Sequence, residues 1–264
     1  MFKRCRIFIY TFIIRSVGRL STGIRICLES GLTSGRMLDY IYENKPSGRL
    51  GIGKIIDKIY LRHPDWQAIR IRKDSVSGYI TETILNNRKE NSPTAILDIA
   101  AGFARYILEA LEKVGQENTE VICLDTNQQY PKEVKERFQK RGFHIRYENK
   151  SAFDNDFIKS LVSPNLVISS GFYDWIVDDK PVEDSIKIVY EILRPGGCFV
   201  LTGQGKHPDL ELTTKAFIDF KKEPLKMKMR QPEVIKSLLE KAGFKNIKHT
   251  TDKWGYYYTI KGEK

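Results

Sequence analysis

From Ser92 onward, short apolar runs alternate with stretches whose apolar residues recur at helical spacing. Runs at 95–99, 121–124, 143–147, 165–170, 198–201, 247–251 and 256–260 predict strands. Tyr106, Ile107, Leu108 and Leu111 predict an amphipathic helix, and helices are also expected over 131–141, before Leu193 and over 233–242. The sequence Leu193-Arg194-Pro195-Gly196-Gly197 stops one of these helices ahead of an apolar strand, and Gly243 stops the last. Such regular alternation is the signature of an α/β fold built on a doubly wound, mostly parallel sheet.

The first ninety residues read differently. An apolar run at 7–14 lies among basic residues, and short helical patterns recur at 38–42, 55–61 and 79–85. Gly31, Gly35, Gly48, Gly51 and Gly53 mark turns or tight packing between them. The polar stretch 86–93 is the expected boundary, giving a basic helical N-terminal extension over 1–90 and an α/β domain over 91–264.

Charge separates the two parts further. Of a formal net charge of +11, residues 1–90 carry 17 Lys and Arg against 8 Asp and Glu, so most of the excess lies there. An acidic partner is expected to meet that third first. Residues 1–25 hold Lys3, Arg4, Arg6, Arg15, Arg19 and Arg25 and no acid. They suit either a helix lying on an anionic membrane surface or one packed on the core with a solvated basic face. No apolar run reaches the roughly eighteen residues needed to span a bilayer. The four cysteines, Cys5, Cys27, Cys123 and Cys198, have no metal-like spacing, and no metal is expected. Two of them fall in strand patterns as reduced core residues, which favours a cytoplasmic setting, peripheral on the membrane if residues 1–25 bind it.

The stretch 96–106, I-L-D-I-A-A-G-F-A-R-Y, carries the candidate chemistry. A buried strand runs into a turn of small residues (Ala100, Ala101, Gly102, Phe103, Ala104) and then a helix. Small side chains let a ligand approach the backbone, and the first helical amides are free to bind it. About twenty residues on, Asp125 ends the next strand, with Thr126 beside it; that carboxylate suits ribose hydroxyls. Asp98 stands inside the strand where a nicotinamide fingerprint has an apolar residue, and the turn has one glycine only.

This pattern resembles motif I of the class I S-adenosylmethionine (SAM) methyltransferases, with Asp125 matching their ribose-binding acid. More narrowly, L-D-I-A-A-G near Asp98, S-G-F-Y near Tyr173, T-G-Q-G-K-H-P near His207 and D-K-W-G near Trp254 are similar to a bacterial family of methyltransferases. That family occurs alone or fused behind an α/β-hydrolase domain. L-D-Y-I-Y-E-N-K-P-S-G-R (38–49) and I-R-I-R-K (69–73) extend the likeness to the N-terminal third. The resemblance implies a Rossmann-like sheet of seven strands, the last antiparallel, and SAM as cofactor. It places Ser151 and Ala152 at the third strand end, where the family pattern has an acid for adenine.

Ser170, Gly171 and Phe172 open the fourth strand toward the ligand crevice, where Tyr173 and Gln204 are placed to orient an acceptor. His207, in a polar loop after the fifth strand, is the candidate base, since a histidine titrates where a proton acceptor needs to. Arg230 is the candidate for holding an anionic substrate group. The expected acceptor is a small molecule or a lipid-like amphiphile. Two other readings stay open: a SAM-binding protein without catalysis, and an RNA methyltransferase docking through its basic third. Nucleic acid is disfavoured, because no Asn-Pro-Pro-Tyr or Pro-Cys motif is present. A nicotinamide oxidoreductase ranks last.

Overall fold

The computed structural model describes residues 2–161, 163–219, 222–223 and 225–264, with side chains from residue 8 onward. Helices α1 (Phe2–Arg15), α2 (Thr22–Ser30), α3 (Gly35–Glu43) and α4 (Ile52–Leu61) open the chain, with a one-turn helix at Val17–Leu20. The long α5 (Pro64–Lys89) leads into β1 (Thr94–Asp98), α6 (Arg105–Val114), β2 (Thr119–Leu124), α7 (Tyr130–Gln139) and β3 (Arg146–Glu148). Then come α8 (Asn155–Lys159), β4 (Leu166–Ser170), α9 (Asp179–Ile192) and β5 (Cys198–Gln204). The chain continues through α10 (Leu210–Ala216), α11 (Pro232–Ala242), β6 (Lys245–Thr251) and β7 (Tyr257–Glu263).

The seven strands form one sheet in the order β3-β2-β1-β4-β5-β7-β6. The pairs from β3 to β5 are parallel, and β7 runs antiparallel to both β5 and β6. The expected doubly wound sheet is therefore present, with its antiparallel last strand. Strand order reverses between β1 and β4, and a crevice at such a reversal, at the carboxyl ends of the strands, is where open α/β sheets bind ligands. On one face Leu97, Leu124, Val167, Phe199 and Leu201 pack with Val182 and Ile186 of α9 and Leu239 of α11. Alternate residues Ile96, Val121, Ile168 and Val200 are buried too, as a sheet covered on both faces requires.

Two expectations shift. The strand expected over 143–147 is confined to Arg146–Glu148. The amides before it are engaged elsewhere: Phe143 donates to the Phe138 carbonyl at 3.0 Å and His144 to Gln116 Oε1 at 2.8 Å. The expected boundary at residue 90 is also redrawn, because the chain divides into Met1–Arg70 with His207–Met227, and Ile71–Lys206 with Lys228–Lys264. Most of α5 thus belongs with the sheet, and the segment after β5 belongs with the N-terminal helices. There the Leu32 amide donates to the Ile218 carbonyl at 2.9 Å and α1 packs on α10.

Within the first unit, the buried Asp57 carboxylate organises the connections. It accepts from Ser21 Oγ at 2.5 Å, the Gly23 amide at 2.7 Å, the Tyr40 hydroxyl at 2.5 Å and the Ser47 amide at 2.9 Å. Four donors satisfy a charge that burial would otherwise penalise. Gly53 lets α4 lie against the Leu20 carbonyl; a Cβ there would come within 2.2 Å of that oxygen.

Candidate active site

The β1–α6 turn is built by the small residues that mark it in the sequence. Gly102 and Ala104 both take left-handed backbone angles (φ 53° and 48°), which bends the chain sharply into α6. The Gly102 amide donates to Asp125 Oδ2 at 3.0 Å and its carbonyl accepts the Tyr147 hydroxyl at 2.6 Å. Residues from three neighbouring strand ends thereby fix one turn. Asp125 Oδ1 also accepts the Asn127 amide at 2.9 Å. Burial raises the Asp125 carboxyl above its ordinary range, and the amides of Asn127, Gly102 and Thr126 pull it back down.

Asp98 is fully buried and accepts the Tyr106 hydroxyl at 2.6 Å on Oδ2. Burial pushes its carboxyl up to about 7; the Tyr106 and Ala100 donors oppose this, while the Asp125 charge adds to it. A carboxylate held so close to neutrality is poised to lose its proton when a cation arrives.

Ser170 ends β4 and Gln204 ends β5, both buried. Among the described residues Ser170 Oγ and Gln204 Nε2 find no hydrogen-bond partner, as is true also of Ser169 Oγ and Asn165 Nδ2, although almost every buried polar atom in a native fold has one. Ser170 Oγ and Gln204 Nε2 stand at the carboxyl ends of adjacent strands with hydrogen-bonding capacity to spare. Gly171 turns the chain out of β4 with φ 69°, donating its amide to Thr202 Oγ1 at 2.8 Å. These positions fit an adenosine-like cofactor: small residues at the turn, a ribose-type acid, and unsatisfied polar groups beyond it.

Other expected site residues stand differently. The Phe103 ring is buried 4.8 Å from the Tyr130 ring, with the Arg137 guanidinium 4.9 Å from its centroid, so its backbone alone belongs to the turn. Thr126 is exposed beside Asp125. At the third strand end, Ser151 Oγ accepts the Phe153 amide at 3.1 Å, closing a local turn above the buried Ala152. Asp154, close by, caps α8 through the Phe157 amide and pairs with Lys150 at 3.0 Å.

Three expected roles are corrected. Tyr173 is buried in the core, its hydroxyl 2.8 Å from Ser185 Oγ, and does not face an acceptor. Arg230 is also buried and its guanidinium is fully used. It donates to the carbonyls of Tyr173 and Ile176 at 2.8 Å each and pairs with Asp179 at 2.8 Å, clamping the segment after β4. Its planar fork matches that divergent set of acceptors. His207 groups with the first unit. Burial lowers its imidazole to about 4, so it is a weaker base than the sequence suggests. Its Nδ1 accepts the Asp209 amide at 3.1 Å.

Two residues of the second unit were missed. Arg72 is buried with its guanidinium 5.0 Å from the Tyr257 ring centroid and against Gly171, where a Cβ would come within 2.8 Å of Nη1. The signal was the I-R-I-R-K stretch, but helical spacing alone does not say which arginine turns inward. Asp174, in the short turn Tyr173–Trp175, is buried and accepts the Gln204 amide at 3.0 Å. Burial raises its carboxyl to about 6, against the lowering pull of Arg72 and Arg230. A groove of about 810 Å³ at the opposite, amino ends of the strands is lined by Thr94, Thr119, Asn165 and Arg194.

Comparison with known proteins agrees with this geometry. A family model described as "Putative methyltransferase" matches residues 3–261. The protein YnbC of Escherichia coli K12, itself uncharacterised, is 30% identical over 244 residues, covering 91% of this chain. This chain spans 42% of that protein's length. Among solved structures, a possible exported protein from Bordetella parapertussis superposes with a TM-score of 0.69 at 16% identity, over 88% of this chain and 79% of that one. The SAM-dependent methyltransferase SibL superposes with a TM-score of 0.53 at 12% identity, over 92% and 72%. The fold is thus one that SAM-dependent methyltransferases use, and the chain belongs to the family described as putative methyltransferases.

Proposed function

We propose that the protein transfers a methyl group from SAM to a small-molecule or lipid-like acceptor. The observation that carries this reading is the Gly102–Asp125 cradle together with the orphaned Ser170 Oγ and Gln204 Nε2. Bound SAM supplies a sulfonium-activated methyl group. Asp125, already oriented by two amides, has lone pairs left for ribose hydroxyls. Asp98, poised near neutrality by burial, becomes the counter-charge for an ammonium group. Ser170 and Gln204 satisfy the remaining polar atoms, and Gly102 lets the cofactor approach the backbone. Methyl transfer from a sulfonium needs alignment and exclusion of water more than covalent help. A buried, pre-organised wall of strand ends suits that demand.

For acceptors that must lose a proton, the groups of the second unit held near neutrality are Asp98 and Asp174. Titration calorimetry with SAM and with S-adenosylhomocysteine tests the cofactor, and formation of S-adenosylhomocysteine in the presence of acceptor panels tests transfer. Heat with both ligands and turnover with at least one acceptor support the reading. Heat without turnover across lipid, small-molecule and RNA panels leaves a binding protein, and no heat with either ligand removes the assignment.

A further inference from the structure

Among the described residues, the first unit carries an apolar surface that no other element covers. Leu50 is 84% exposed, and Ile52, Ile55 and Ile59 of α4 are each more than half exposed. Positions 52, 55 and 59 fall on one side of a helix, so the three isoleucines form a stripe that begins beside Leu50. Exposed single apolar residues are common, but four contiguous ones mark an interaction surface.

Charge and backbone say what kind. Between residues 44 and 64 the chain carries Lys45, Arg49, Lys54, Lys58 and Arg62 against one acid, Asp57. That acid is turned inward and fully buried under four donors, while Arg49, Lys54, Lys58 and Arg62 are exposed. The exposed charges over 44–64 are therefore all cationic, with Glu43 just before them paired to Lys45 at 3.2 Å. Leu50 also sits in the left-handed region (φ 55°), with Gly51 after it at φ 66°. A leucine there costs backbone energy that glycine or asparagine would not. The Leu50 side chain is nonetheless held out at the tip of the turn, and backbone strain of this kind gathers at functional positions.

A second strip lies in the same unit. Phe8, Ile9, Phe12 and Ile13 of α1 are exposed, as is Val17. Arg15 and Arg19 are exposed beside them. Both α1 and α4 pack on the one-turn helix Val17–Leu20. No helix among the described residues is long and apolar enough to cross a membrane. A cationic rim around aliphatic side chains matches a bilayer surface, where the side chains enter the acyl boundary and the lysines meet phosphate headgroups.

We propose that the Leu50 turn and α4, together with the exposed face of α1, dock this protein on an anionic lipid surface. The surface involves the first unit alone and stands independently of the transfer chemistry. Membrane contact is thereby assigned chiefly to residues 49–62, beyond the N-terminal 25 residues that charge alone singled out.

Co-sedimentation with vesicles of equal parts phosphatidylglycerol and phosphatidylcholine, against pure phosphatidylcholine, tests it. The protein pellets with the anionic vesicles and remains in the supernatant with the neutral ones. Ile55→Asp with Ile59→Asp, both solvent-facing, lowers partitioning by at least about tenfold. Lys54→Glu with Lys58→Glu gives a loss of more than about tenfold at low salt that shrinks as salt rises. Leu50→Trp adds a fluorescence component, read against the wild-type background, that shifts to the blue and is quenched by brominated lipid. Equal partitioning of wild type and both pairs of variants overturns the proposal. So does a dimer in sedimentation equilibrium that the isoleucine variants dissociate without any vesicle binding, since the face then covers a second copy. If the component added by Leu50→Trp stays unquenched on pelleted protein, insertion of the turn is overturned.

Discussion

The Gly102 amide donates to Asp125 Oδ2 at 3.0 Å, so the turn after β1 is fastened to the end of β2 before any ligand arrives. The same carboxylate holds the Asn127 amide, and the Gly102 carbonyl is held by Tyr147. The cradle is pre-organised, so binding need not order it.

Removing the fastening tests its two roles together. Asp125→Ala orphans two partly buried amides and is expected to cost about 1–3 kcal/mol of stability. It also removes the proposed ribose acceptor. Calorimetry should show SAM affinity falling by more than about tenfold, since each lost hydrogen bond to a charged group is worth about 1.5–3 kcal/mol. A variant that folds normally and binds SAM unchanged contradicts the site.

Asp98 predicts a pH dependence of definite sign. Its carboxyl is pushed from the ordinary 3.8 up to about 7, so the folded protein holds a proton that the unfolded chain has released between those values. Stability from this group is therefore present below about pH 4 and lost as pH rises through 7. Asp98→Asn should flatten that part of the urea-unfolding profile. Asp174, raised to about 6, contributes a slope of the same sign that persists in the variant. Near pH 6.5 SAM binding should release protons from Asp98, detectable by calorimetry in buffers of different ionisation enthalpy.

Gly171 is held at φ 69° with the Arg72 guanidinium against it. Gly171→Ala should destabilise the protein by about 1–2 kcal/mol, the cost of a left-handed alanine. It should also displace Arg72, whose flexible side chain can yield. Reduced SAM affinity beyond the stability loss would show that Arg72 and the β4 turn act together.

Arg230 acts as a clamp, and the prediction is for stability. Arg230→Met leaves the carbonyls of Tyr173 and Ile176 without this donor, while the exposed Asp179 keeps Lys228 at 2.8 Å, and should cost about 1–3 kcal/mol, the range for a buried acceptor left unsatisfied. Arg230→Lys should rescue little, because an ammonium cannot bridge the divergent carbonyls that the guanidinium reaches. Thermal unfolding of both variants checks this.

His207, lowered to about 4, is uncharged at neutral pH and has little driving force to take a proton. His207→Gln should leave the pH–rate profile above pH 6 unchanged. A lost limb near pH 6–7 would restore the histidine as the base.

Much of the fold was legible because its signals are local. Apolar runs such as 95–99 and 121–124, separated by helical periodicity, dictate strand and helix, and their alternation dictates a parallel sheet. The turn at Gly102 and the acid at Asp125 were legible for the same reason: a strand, a small-residue turn and a helix fix where a backbone amide and a carboxylate must stand. The basic character of the first third was equally plain from residue counts.

Side-chain direction was not legible, because it depends on which partners the fold brings within reach. Tyr173 and Arg230 looked like site residues from their place after strands, yet a hydroxyl bond to Ser185 and a set of backbone and carboxylate acceptors turn them into core supports. Only the tertiary structure could turn Arg72 inward against Gly171, bury Asp98 and Asp174 enough to raise them toward neutrality, and send 207–227 to the N-terminal helices. Patterning fixes periodicity, and periodicity fixes elements. Burial and hydrogen-bond supply are properties of elements already assembled, and they decided which of the chain's polar residues hold the fold and which keep hydrogen-bonding capacity to spare.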